Sequence, residues 1–139
     1  MSHRHAGRSS ESFINKDIIL RTLNILPMQT ILDAGCGNGY MSKEFSKVLN
    51  NTGKVYAIDS NKEAIQTLKE ETKETNIETM EADITKGIPI KESSIDLIYL
   101  STVIHGFQEG QVARFQKEVK RLLKPNGRLR HPLRAPFRD

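Results

Sequence analysis

Asp33 and Asp59 are the acidic residues whose surroundings could do chemistry. Asp33 opens the run Asp33-Ala34-Gly35-Cys36-Gly37-Asn38-Gly39. Three glycines at alternate positions let a backbone turn tightly and approach a ligand unobstructed. A helix after such a turn would offer the free N–H groups of its first residues, a setting that suits a carboxylate or a phosphate. The spacing narrows that choice. Gly35-x-Gly37-x-Gly39 puts Tyr40 where a dinucleotide fingerprint has its third glycine, and the Gly-Lys-Ser/Thr ending of a triphosphate loop is absent. A carboxylate at position 33 would repel a pyrophosphate and could pair with a cationic amine. Asp59 lies twenty residues past Gly39, where it suits the hydroxyls of a ribose. Ser60, with Glu63 three residues on, reads as the cap of the next helix, which leaves Asp59 free for a ligand.

Other reactive side chains carry less. Cys36 sits in the turn, but a catalytic thiol needs a positive neighbour and a base, and neither can be placed, so it reads as a small packing residue. His105 is the one candidate general base or substrate contact, five residues after an apolar strand, although a packed or solvent-facing histidine is the commoner fate. His3 and His5 have no third ligand nearby, and no metal site is expected.

The elements that must position these residues alternate in type. Asn15 is a possible cap for a first helix bearing Ile18, Ile19, Leu23 and Leu26 on one face, stopped at Pro27. Thr30 to Asp33 reads as a strand. Met41, Phe45, Val48 and Leu49 give one helical stripe, and Asn51-Thr52-Gly53 a turn. Lys54 to Asp59 is a second strand, followed by a helix with Ala64, Ile65 and Leu68 inward. Ile77 to Ala82 is a third strand, Gly87 to Ile90 a turn, and Ile95 to Leu100 a fourth, nearly all-apolar strand suited to the centre of a parallel sheet. Val112, Phe115, Val119, Leu122 and Leu123 mark a last helix, ended by Pro125-Asn126-Gly127, with a strand expected from Arg128. The alternation implies an α/β fold, a doubly wound parallel sheet covered on both faces.

Composition agrees with one domain. The chain has 139 residues, 37% of them hydrophobic and 27% charged, enough for one ordinary core. A single cysteine excludes an internal disulfide. No apolar run is long enough to span a bilayer, and the polar start does not read as a secretory leader, so the expected location is cytoplasmic. The formal charge is +4, but most of it comes from Arg128, Arg130, Arg134 and Arg138 at one end. A basic tail is not the folded basic face that nucleic acid requires.

Together these residues resemble the class I S-adenosylmethionine-dependent methyltransferases, in particular the small-molecule branch related to ubiquinone-biosynthesis and arsenite methyltransferases. Ile31 to Gly39 is similar to that family's first motif, and Val55 to Asp59 to its acidic second strand. Glu81-Ala82-Asp83-Ile84 resembles its adenine-binding stretch, Ile95 to Leu100 with Ser101 to Phe107 its fourth strand and substrate-side loop, and Leu122 to Leu129 its turn into strand five. The resemblance implies a Rossmann-like sheet of about five strands in the order 3-2-1-4-5, lacking the family's last two. It implies S-adenosylmethionine as cofactor and a small-molecule methyl acceptor. Asp33, Gly35, Cys36, Gly37 and Gly39 would hold the methionine moiety. Asp59 with Ser60 would meet the ribose, Asp83 and the Ile84 backbone the adenine, and Ser101 would lie under the sulfonium. Asp96 reads as structural.

After Leu129 the family's aliphatic pattern gives way to Arg130-His131-Pro132-Leu133-Arg134-Ala135-Pro136-Phe137-Arg138-Asp139, which cannot make a buried parallel strand. The expected layout is a flexible arm over 1–12, a cofactor-binding domain over 13–129 and an irregular basic tail over 130–139, read as a truncation or an altered reading frame. An incomplete sheet edge would invite a homodimer. Two other functions stay open: a catalytically idle cofactor-binding domain completed by a partner or second copy, and an NAD-dependent oxidoreductase, which the glycine spacing disfavours.

Overall fold

Buried from both sides, Ile31 and Leu32 on one strand and Leu97 and Ile98 on another set the centre of the sheet. The computed structural model describes residues 16–101 and 107–131. Helix α1 covers 16–23. Then follow β1 (Thr30–Ala34), α2 (Tyr40–Leu49), β2 (Lys54–Asp59), α3 (Lys62–Glu71), β3 (Ile77–Glu81), a 3-10 turn (Ile84–Lys86), β4 (Ile95–Leu100), α4 (Glu109–Leu122) and β5 (Leu123–Arg130). The strands form one sheet in the order β3-β2-β1-β4-β5. Every pairing is parallel. Asn15, His105, the arm over 1–12 and residues 132–139 lie outside the described residues.

Successive strand residues face opposite layers, which separates two cores. Ile31, Val55, Ala57, Leu97 and Tyr99 pack with Leu23 of α1, Phe45 and Leu49 of α2, and Ile65 and Leu68 of α3. Leu32, Ile58, Ile98 and Leu100 pack on the other face with Ile84, Ile88 and Ile90 and with Phe115, Val119 and Leu122 of α4. The Phe45 and Tyr99 rings meet edge to face, centroids 5.2 Å apart, a favoured aromatic arrangement. Glu118 and Arg121 clamp the link before β4. The Ile88 amide donates to Glu118 at 2.7 Å, and Arg121 donates to the Ile88 and Ile90 carbonyls. The Arg121 hydrogen bond holds the Glu118 carboxyl below its ordinary value. Asp96 is structural, accepting from the Thr30 amide and from Lys124 Nζ.

Four boundaries differ from the sequence expectation. Helix α1 ends before Asn24, whose φ of 50° breaks the helix ahead of Pro27, and Ile18 and Leu26 are half exposed. The cap of α3 is Asn61, whose side chain accepts from the Ala64 amide at 3.0 Å; Ser60 does not cap it. Residues 84–86 form a 3-10 turn capped by Asp83. Helix α4 ends at Leu122 and the chain enters β5 at once, pairing Ile95 with Leu123 and Leu97 with Arg128. Pro125-Asn126-Gly127 therefore forms a bulge inside the strand. A parallel strand can hold Pro125 there because the bulge takes it out of the ladder.

Candidate functional site

The turn after β1 and the ends of β2 and β4 meet at the carboxyl edge of the sheet, where the winding direction reverses. Ligands of open parallel sheets bind at such a switch point. Gly35, Gly37 and Gly39 all take positive φ, at 76°, 56° and 83°. Gly39 has a second reason to be glycine. A Cβ there would stand 2.4 Å from Leu68 Cδ1, so its absence lets α3 pack against the turn.

The turn's amides are engaged inside the protein. Gly35 and Cys36 both donate to the Ile58 carbonyl at 2.9 Å, and Gly39 to the Cys36 carbonyl at 2.8 Å. Gly37 donates to Asp59 Oδ2 at 2.8 Å and Tyr40 to Asn38 Oδ1 at 3.1 Å. At the helix start the Tyr40 and Ser42 amides are taken by Asn38 and Asp33, and in the turn before it the Gly35, Cys36 and Gly37 amides, expected to be open to an anion, are engaged too. The carbonyl at the end of β2 and the Asp59 carboxylate satisfy those donors first, which ties the turn rigidly to the neighbouring strand.

Two carboxylates flank the turn in different states. Asp33 is fully buried. Ser42 Oγ donates to its Oδ2 at 2.6 Å and Ser101 Oγ to its Oδ1 at 2.9 Å. Burial pushes its pKa up to about 6, against the pull of the two hydroxyls. Burial, not a lack of lone pairs, separates Asp33 from any ligand amine in this structure. Asp59 is half-buried, and its Oδ1 also accepts from the Asn61 amide at 2.8 Å.

Asp59 opens onto a cavity of about 210 Å³. The cavity brings together five of the expected site residues, Gly35, Asp59, Ser60, Asp83 and Ile84, with Ala34, Ile58, Ala82, Leu100 and Phe107 as apolar wall. Among the described residues no lysine or arginine lines it. Asp83 Oδ1 is taken by the Thr85 amide and hydroxyl. Cys36, Gly37 and Gly39 support the turn without lining the cavity. Ser101 stands next to it in the chain, its amide donating to the Ala34 carbonyl. The Cys36 thiol is pushed up to about 12, by burial first and then by the charges of Asp33 and Asp59, so it is a poor nucleophile at neutral pH. Sequence reasoning missed Ser42 and had Phe107 only as the end of the substrate-side loop. Ser42 occupies a buried helix position where an apolar stripe was expected, and only its partner Asp33 could have signalled it.

A larger cavity, about 520 Å³, lies at the opposite end of β2 and β3 and is lined by Lys54, Lys69 and Lys73. Lys54 and Lys73 pair with Glu78 at 2.9 Å and Glu70 at 3.1 Å. Neither the glycine turn nor the carboxyl ends of the strands reach it, so size does not decide between the two. Among the described residues no cluster of histidine, cysteine and carboxylate suits a metal, and no helix is long and apolar enough to cross a membrane.

Residues 31–127 match the family described as a methyltransferase domain. The chain is 30% identical over 105 residues to the ubiquinone/menaquinone biosynthesis C-methyltransferase UbiE of Escherichia fergusonii, covering 73% of this chain and 41% of that one. It is 25% identical over 118 residues to the 2-phytyl-1,4-naphtoquinone methyltransferase of Trichormus variabilis, covering 81% of this chain and 50% of that one. The crystal structure of a SAM-dependent methyltransferase from Aquifex aeolicus superposes with a TM-score of 0.70 at 28% identity, over 82% of this chain and 62% of that one. The chain thus spans half or less of the two curated relatives.

Proposed function

Since the chain belongs to the methyltransferase-domain family, as a class I S-adenosylmethionine-dependent member, we propose that its Asp59–Asp83 cavity binds S-adenosylmethionine for methyl transfer to a small-molecule acceptor. The observation that carries this is the chemistry of the cavity. It offers carboxylates and apolar wall, no cation among the described residues, and a glycine turn whose Gly35, Cys36, Gly37 and Gly39 amides already have partners. A pyrophosphate would find little there to neutralise it. A nucleoside joined to an amino acid fits that donor and acceptor set.

In this reading Asp59 accepts from the ribose hydroxyls beside Ser60, its place fixed by the Gly37 and Asn61 amides. Asp83 turns Oδ2 to the exocyclic amine of adenine while Thr85 holds Oδ1, and the Ile84 backbone lies alongside. Ile58, Leu100 and Phe107 enclose the base. The turn from Gly35 through Cys36, Gly37 and Gly39 shapes the methionine end, with Asp33 and Ser101 behind it. When bound, the cofactor would supply a methyl group activated by a sulfonium, whose carbon an acceptor nucleophile takes in line as the C–S bond breaks and the neutral thioether leaves. The chain's own task is then to align the two partners and exclude water, and alignment alone can supply about 7–11 kcal/mol of a barrier. The acceptor class follows from the two quinone-pathway relatives and is carried over as part of the proposal. Residues 13–129 would form the binding domain, in a cytoplasmic protein.

Calorimetric titration with S-adenosylmethionine, S-adenosylhomocysteine and NAD tests the reading. Binding of the first two without NAD is expected, and binding of NAD alone would overturn it. A second reading is binding without turnover until a partner or second copy completes the acceptor wall. Methyl transfer by the isolated chain across a panel of quinols and other small acceptors would exclude that second reading.

A further inference from the structure

Ser42 is fully buried in the first turn of α2, among residues that otherwise present an apolar stripe. A buried hydroxyl is costly unless it is hydrogen-bonded, and an alanine would fill this place without that need. The Ser42 hydroxyl and its backbone amide both serve Asp33. The other Asp33 oxygen holds Ser101, the residue that follows cavity-lining Leu100. A chain of three side chains thus runs from the back of α2, through the end of β1, to the ligand edge of β4.

The groups facing Asp33 from the packed elements are Ser42 on α2, Ser101 after β4, Asp59 on β2, Tyr99 on β4 and Cys36 in the turn. None is a cation. An ionised carboxylate only accepts, so both hydroxyl protons must point at Asp33. Ser101 is then left with lone pairs for a group beyond it. A protonated Asp33 would free that orientation.

We propose that Ser42 is a positioning residue of the ligand site, holding Asp33 so that Ser101 donates inward and presents only acceptor lone pairs to the ligand. The identity of that ligand rests on the S-adenosylmethionine reading. A sulfonium gains from outward lone pairs and a neutral thioether does not, so with the sulfur on that side the arrangement favours the methylated cofactor over S-adenosylhomocysteine, whose ammonium is the same.

The test follows the Asp33 carboxyl carbon by NMR against pH in the unliganded protein, and S-adenosylmethionine affinity over the same range. Both are measured in the parent, Ser42→Ala and Ser42→Thr. Loss of the Ser42 hydrogen bond should move the Asp33 midpoint up by about one pH unit. The acid limb of the affinity profile should move with it, and threonine should restore both. A purely structural serine would lower stability and leave both midpoints in place, and that result overturns the proposal. A midpoint that moves while the affinity limb stays fixed overturns it too. Should Ser42→Ala not fold, Ser101→Ala carries the test: its affinity profile should lose the acid limb, and persistence of the limb contradicts the relay. Absence of S-adenosylmethionine binding in the parent sinks the ligand assignment, whereas a fixed Asp33 midpoint sinks the relay alone.

Discussion

Asp33 and Asp59 end neighbouring parallel strands, yet one is sealed beneath the glycine turn and the other faces the cavity. Asp33 lies on the central strand, roofed by α2, and every bond it makes is to a hydroxyl or amide of the protein. Asp59 lies at the last position of β2, braces the Gly37 amide and keeps one edge toward solvent. The same residue type thus does two jobs. The sealed carboxylate fixes the directions of hydroxyl groups, and the open one is available to a ligand. Depth in the sheet makes the difference.

The largest expected effect breaks the sealed side. Asp33 holds its proton to a pKa of about 6, against 3.8 for a free aspartate. Between those values the folded protein keeps a proton that the unfolded chain has released. Stability must therefore fall as pH rises through that window, by about 3 kcal/mol from this group. Glu118 slopes the other way, since its depressed pKa stabilises the fold above the ordinary glutamate range and loses that effect as pH falls. Urea unfolding of the parent and of Asp33→Asn across the window isolates the Asp33 contribution. Parallel profiles would show that Asp33 is not sealed.

Next comes the turn that both sides share. Gly39→Val combines a positive φ with a clash against Leu68 and should cost about 2–3 kcal/mol in thermal or chemical unfolding. A loss under about 1 kcal/mol would mean that α3 does not pack on the turn as described. On the open side, Asp59→Ala should weaken S-adenosylhomocysteine binding by about 1–3 kcal/mol, the loss of a charge-assisted hydrogen bond. Calorimetry reads it, and an unchanged affinity removes Asp59 from the site. The smallest effect belongs to Cys36. Its raised pKa predicts slow alkylation near neutral pH, measured by thiol-reagent kinetics. Rapid alkylation would contradict the burial.

Much of this was legible in the sequence, for identifiable reasons. β2 and β4 fall where expected because strands buried on both faces must be continuously apolar. The strand order follows from the alternation of elements and the family resemblance. Hidden from the sequence were features set by tertiary contact. Asn61 outcompetes Ser60 as cap because its own extended backbone aims its side chain at the Ala64 amide, while Ser60 lies in the bend before it. Pro125 and Gly127 read as a stop, but pairing with β4 holds them in a bulge. The turn's amides looked free because their acceptors, Ile58 and Asp59, come from another strand. Asp59 was found as a cavity residue from its place at a strand end, and Asp83 and Ile84 through the family resemblance.

A structure of the protein crystallised with S-adenosylhomocysteine tests the central claim most directly. The ligand is predicted at the carboxyl edge, its ribose hydroxyls on Asp59 and its adenine between Asp83 and Phe107. Density in the lysine-lined cavity at the far end of β2 and β3, with the Asp59 cavity empty at saturating ligand, would contradict it.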